Sequence, residues 1–462
     1  MKNQFRFVLV LVIAAFFAVA VHEHLFHINS EYYFTWIWQW IPSGTVYPVF
    51  ILLAIPFFLG QLIYLRRRAR VRIALTAITL STFCLLIGAA AVEKDPPSFS
   101  RITDIVQSRF STGYFATAAM LMRKNISIGE LLGRYPAMMD HFYLHPRQKP
   151  PGLIVLEMVM IHIFGNGNAG ALASGFLLAA LASLCIITTY LFLICYTGNR
   201  DAAFAGASYF ALCPSLLLFF PDVDVCFPNL TAILAILWAM TLKKDRSRYA
   251  VAFGLTYAIA GLITYLPGVL IVFLAGFTWL QHRSDPQCRW SRIGRHLAIS
   301  AGVFATFYVV LWAITGFDPI ATLRESVRQV DILFDKLITV YHYPPHSLPW
   351  TFFTGLYDFA LGSAWIGFAL AGFYFAATCK QDMTQMMRIA LVSVSQFIIV
   401  AATGLLQTET ARVWIFMYPM LMLPVGLELA NWRPRQRIAV YVAVLLLTML
   451  MCQSMQFIGP AM

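Results

Sequence analysis

The stretch AGALASGFLLAALASLCIITTYLFLICY, residues 169–196, runs for 28 residues without a charge and decides the class of fold. A helix that crosses a bilayer needs roughly 20 apolar residues, because each residue rises 1.5 Å through a hydrocarbon core ~30 Å thick. Comparable runs recur along nearly all of the 462 residues and leave no room for a soluble domain. Composition agrees: 60% of residues are hydrophobic and 12% are charged, about half the charged share of a soluble domain. The expectation is an all-α polytopic membrane protein with about 11–13 transmembrane helices. Its longest polar interruption is Glu93 to Pro150.

Charge placement gives an orientation. The short basic connectors are Arg66 to Arg72 with five Arg, Lys243 to Arg248 with four Lys or Arg, Arg283 to Arg295 with four, and Arg433 to Arg437 with three. By the positive-inside rule they face the cytoplasm. The net charge of +12 is therefore a topology signal and not a nucleic-acid footprint. The outer segments are then 22–45, 93–150, about 221–226, about 265–268, 316–350 and 405–412. A parity conflict arises between Arg72 and Lys243, where five apolar stretches (73–92, 152–166, 169–196, 202–220 and 227–242) connect two points on one side. Either 169–196 folds as two spans or one stretch does not cross.

Lys2, Arg6, an apolar core and Ala18-Val19-Ala20 imitate a secretory signal, although a retained signal anchor is the preferred reading and the downstream topology is the same either way. The eight cysteines are scattered, almost all inside apolar runs, and read as small core residues.

The 93–150 loop is organised. From Ser98, Ile102, Ile105, Val106, Phe110, Tyr114, Phe115 and Ala118 recur at three- and four-residue spacing, one stripe of an amphipathic helix lying on the membrane. On it Arg101 and Asp104 share another face, where an i,i+3 ion pair is the plain reading. A second helix begins at Ser127, with Glu130 completing a capping box, and runs through Leu131, Leu132, Tyr135 and Met138. The loop ends in His145-Pro146-Arg147-Gln148-Lys149-Pro150-Pro151-Gly152, a proline-stiffened turn with two cations before the apolar run from Leu153.

This order of an apolar helix, an outer loop carrying an acid, a His-Pro turn and many further spans resembles the GT-C membrane glycosyltransferases. That group includes protein O-mannosyltransferases, lipid A aminoarabinose transferases and bacterial mannosyl- and arabinosyltransferase-like proteins. Three residues, Arg147, Gln148 and Lys149, interrupt the His-Pro-Pro turn usual in the group, and a helix pair over 7–65 precedes the shared part. Further similarities are Asp222-Val223-Asp224 before the span from Phe227, Gly261 to Gly268 with Tyr265 where relatives usually carry Lys, and Glu409-Thr410-Ala411-Arg412-Val413-Trp414. The resemblance implies a GT-C-like bundle over 73–430 with juxtamembrane helices in its outer loop, an added segment 1–72 and a final helix over 431–462. It also implies a bacterial cytoplasmic membrane location with the site facing outward.

The chemistry implied is transfer of a sugar from a polyprenyl-phosphate carrier to a hydroxyl on a lipid, glycan or protein, with inversion. Such a reaction needs a carboxylate as general base and cations that stabilise the departing phosphate. Asp104 is the expected base, with Glu93 and Asp95 as rivals, and Asp222 and Asp224 are the second acids. An Asp-x-Asp pair can hold a divalent cation or, more plainly, cap the following helix. Arg412 is the expected phosphate ligand, its plain alternative being an ion pair with Glu409; Arg101, His145, Arg147, Lys149 and Tyr265 are supporting candidates. The partners expected are the lipid-linked donor, the acceptor and membrane lipids, and no nucleic acid.

The remaining outer segments are less telling. His22, His24 and His27 lack a fixed metal-ligand spacing, and Trp36, Trp38 and Trp40 fit an interfacial belt. Residues 316–350 alternate charge like a solvated amphipathic helix and end in Tyr341 to His346, aromatic enough to stack on a sugar. A secondary transporter would instead carry ionisable residues within its spans, where Glu157 is the main example. A purely structural membrane protein would have no reason to gather acids and cations on one side.

Overall fold

The computed structural model describes residues 2–25, 36–41, 44–94, 96–339, 348–379, 383–404, 406 and 409–456; Asp95, His27 and Tyr341 to His346 lie outside them. Among the described residues nine helices are long and apolar enough to cross a bilayer, and a tenth crossing is added if Trp350–Gly362 and Ile366–Thr378, bent by 104°, form one span. The chain is an all-α, multi-pass integral membrane protein. The one sheet among these residues pairs Ile37–Trp38 antiparallel with Met455–Gln456. Fewer full-length spans appear than the apolar runs foretell because some runs hold short helices. Gly152–Phe164 has 13 residues and Arg200–Phe210 has 11, roughly 20 Å and 17 Å against a ~30 Å core.

These lengths resolve the parity conflict. Residues 169–196 lie in one unbroken helix, Asn168–Thr197. Just past its end Asp201 pairs with Arg68 at 3.0 Å and accepts from Tyr64 Oη at 2.6 Å, so this end returns to the basic connector 66–72. Its start lies with the opposite loop, where Gln107 Nε2 donates to Asn168 Oδ1 at 3.2 Å. The helix Gly152–Phe164 begins beside Lys149, whose carbonyl accepts from Tyr135 of that loop at 2.8 Å, and it ends just before Asn168. Both of its ends belong to the loop side, so this is the stretch that does not cross.

The chain forms two compact units. The first comprises Met1–Arg101, Leu178–Ile233 and His346–Phe457, and the second comprises Ile102–Leu177 and Leu234–Pro345. In the first, Arg200–Phe210 and Tyr418–Ala430, buried from Tyr418 to Leu429, make a close helix pair. Two glycines allow it: a Cβ on Gly206 would stand 2.8 Å from the Met422 carbonyl oxygen, and one on Gly426 would strike that of Ala202. The helix Lys2–His22, which contains Ala18 to Ala20, brings Arg6 to Glu428 at 2.9 Å, and Trp432 Nε1 donates to the same carboxylate at 3.0 Å.

In the second unit the expected amphipathic stripe breaks at Gly113, φ +71°, between the helices Ser100–Gln107 and Tyr114–Arg123. Ile102, Ile105 and Val106 are buried, while Phe110, in the break, is exposed. The Ser127 cap forms, its Oγ accepting from Glu130 N at 3.2 Å. The helix Pro319–Thr339 exposes Arg324, Arg328 and Asp331 as an amphipathic helix would, together with Ile320, Leu323 and Val327, and buries Thr322, Ser326 and Gln329. Arg328 Nη2 fastens it to Asp140 at 2.8 Å, just ahead of the His145 turn.

Candidate functional site

The most concentrated polar chemistry in the first unit surrounds Arg412. The short helix Thr410–Val413 opens the buried segment that continues into Tyr418–Ala430, and Glu409 enters it with a left-handed backbone, φ +50°. The Arg412 guanidinium binds the carboxylates of Asp222 and Glu409, and its Nε lies 3.7 Å from Asp224 Oδ2. Asp222 also caps the turn Val223–Cys226, accepting from Asp224 N at 3.2 Å, so the capping role and the ion-pair role coexist.

A fourth acid joins them. Asp358, within the apolar helix Trp350–Gly362, accepts from Ala411 N at 2.9 Å and from Trp36 Nε1 at 2.6 Å. The Trp36 ring packs edge-on against Phe219, 4.6 Å between centroids, beside the Asp222 turn. Neither Asp358 nor Trp36 is a candidate from sequence motifs. Asp358 had a usable signal, since an ionisable residue inside an apolar helix marks a functional site by default; Trp36 had none beyond the aromatic belt.

Three carboxylates thus meet one guanidinium, with Asp358 bonded to the neighbouring Ala411 backbone, in a site nearly closed to solvent where the Arg412 side chain is 12% exposed. Burial pushes the Glu409 carboxyl above its ordinary range; Arg412 pulls against this, and the Asp222 and Asp358 charges push it further up. Among the described residues no three His, Cys, Asp or Glu side chains converge as a metal site, and the guanidinium stands between Asp222 and Asp224, where the Asp-x-Asp reading would seat a divalent ion.

The other candidates lie elsewhere. Arg101 is buried and paired with Glu93 in the first unit. Burial pushes the Glu93 carboxyl up to about 7 against the pull of Arg101. Asp104, His145, Arg147, Lys149 and Tyr265 belong to the second unit. Asp104 is solvent-exposed. Arg147 clips its own turn, Nε and Nη2 donating to the Phe142 carbonyl at 3.2 and 2.7 Å. His145 opens the turn Pro146–Gln148, and Tyr265 Oη meets Ser326 Oγ at 3.0 Å.

Glu93 gives a pH prediction. Between the ordinary carboxylate range and about 7 the folded chain holds a proton at Glu93 that the unfolded chain has lost. Stability from this group is present at low pH, falls as pH rises through that window, and is gone above about 7. In detergent, wild type should lose melting temperature relative to Glu93→Gln as pH is raised; a difference that stays flat with pH removes Glu93 as the titrating group.

No family model matches this chain, and no curated protein is significantly similar to it.

Proposed function

We propose that the chain is a GT-C-type membrane glycosyltransferase, moving a sugar with inversion from a polyprenyl phosphate to a hydroxyl acceptor on the side opposite the basic connectors. The observation that supports this reading is the cluster of Asp222, Asp224, Glu409 and Arg412, drawn from segments 190 residues apart and gathered at the ends of apolar helices. The acceptor oxygen attacks the anomeric carbon as the bond from that carbon to the phosphate oxygen breaks. The hydroxyl proton passes to a carboxylate, and the polyprenyl phosphate leaves with one more negative charge. Arg412 meets that charge by exchanging a carboxylate for a phosphate oxygen, and Glu409, whose carboxyl burial pushes up, is the partner that gives way. The reading puts the protein in a bacterial cytoplasmic membrane with its site facing the periplasm.

The test is complementation of a deletion strain that lacks one glycan or glycolipid, using wild type, Asp104→Asn and Asp222→Asn at matched membrane levels. Loss of the general base lowers transfer on the order of 10²–10⁴-fold, and the variant that shows it identifies the base. Full transfer by both variants sinks the mechanism.

A second reading, a translocator of lipid-linked substrate, is favoured by the break of 104° between Trp350–Gly362 and Ile366–Thr378, because transporters use broken helices bearing charge. Ionisable residues inside apolar helices are also more numerous than the sequence reading allowed, with Asp358 and Glu428 beside Glu157. Movement of a labelled lipid-linked sugar by purified protein, with no glycosylated product, would select it.

A further inference from the structure

In the second unit, one carboxylate fastens the basic connectors 243–248 and 283–295 together. Asp245 receives Arg292 Nε at 3.0 Å, Arg295 Nη2 at 2.6 Å and the buried His296 Nε2 at 2.8 Å. Around this knot Lys244, Arg246, Arg248, Arg283 and Arg289 are exposed, so the two connectors form one cationic platform. Trp279 and Trp290 border it, 50% and 57% exposed, as interfacial tryptophans do at headgroup level. The Arg283 guanidinium lies 5.3 Å from the Trp279 ring and that of Arg248 lies 4.9 Å from Tyr249, so both are held at the rim.

Beyond this platform an apolar groove of about 570 Å³ lies along Trp290–Thr315, lined by residues that include Ala298, Gly302, Thr306 and Val310, with Leu255 of Ser247–Ile263 at its edge. Leu255 lies about two turns beyond Arg248 and Ala298 about one turn beyond Arg295, so the groove starts where the cations stop. Gly302 leaves it open: a Cβ there would meet nothing within 4 Å.

We propose that platform and groove together bind an anionic glycerophospholipid, its phosphate on the cations and one acyl chain along the groove. Charge complementarity selects an anionic headgroup over a zwitterionic one. The groove selects a lipid over a free anion or a nucleic acid, neither of which would use an apolar channel leading away from the charge. The proposal is independent of the sugar-transfer reading, because its residues are separate from that site.

The test is native mass spectrometry of the intact chain in detergent, titrated with phosphatidylglycerol, phosphatidylcholine or inorganic phosphate. Wild type is expected to retain phosphatidylglycerol about tenfold better than phosphatidylcholine, and the double variant Arg248→Gln, Arg283→Gln to lose most of that preference. Gly302→Phe fills open space and is expected to keep the melting temperature while losing the bound lipid. Equal retention of the two lipids by wild type overturns the proposal. So does undiminished retention by folded Gly302→Phe, or ready displacement by inorganic phosphate, which would reveal a bare anion site.

Discussion

Arg412→Met is expected to destabilise the protein by roughly 3–5 kcal/mol and to abolish activity, because it leaves buried carboxylates without their cation. The guanidinium is the shared partner of Asp222 and Glu409 and lies within 3.7 Å of Asp224. Methionine fills much of the same space, so lost packing contributes little and the effect isolates charge. Adding Asp222→Asn and Glu409→Gln to Arg412→Met removes the stranded charges and should recover most of the stability with none of the activity. Thermal unfolding in detergent measures this, and an unchanged melting temperature for Arg412→Met would mean that the ion pairs contribute nothing.

The second large effect concerns the N-terminal helix. Glu428 is fully buried, and Arg6 at 2.9 Å is its cation. Arg6→Met should therefore cost roughly 3–5 kcal/mol, and Glu428→Gln in the same chain should restore most of it, since a neutral amide keeps the Trp432 hydrogen bond without a buried charge. Release of Lys2–His22 from its partners Pro434–Ser454 and Ile366–Thr378 is read by faster proteolysis near the N-terminus. If Arg6→Met is as stable as wild type, the pair contributes nothing.

The membrane class was legible in the long uncharged runs because a hydrocarbon solvent forces backbone groups to bond within one helix, and only length and apolarity are then required. The Ser127 cap and the break before Tyr114 are likewise local, although only the cap was read from sequence: Ser127 and Glu130 have a recognisable spacing, whereas Gly113 sat unremarked inside an apolar periodicity. The pairing of Glu409 with Arg412 was visible at i,i+3. Asp358 was hidden by its apolar surroundings, and its partners Trp36 and Ala411 are 322 and 53 residues away.

By itself, then, the amino-acid order determined that this chain lives in a bilayer as helices, which ends of them bear cations, and which short turns are capped. Those properties follow from solvent and from interactions within a few residues. Only the tertiary structure decided that Gly152–Phe164 turns back without crossing, that Arg412 is shared among acids from Asp222 to Glu409, and that Asp245 ties two basic connectors into one surface. Each depends on which distant segments come into contact, and a buried charge takes its partner from whatever packing brings within reach.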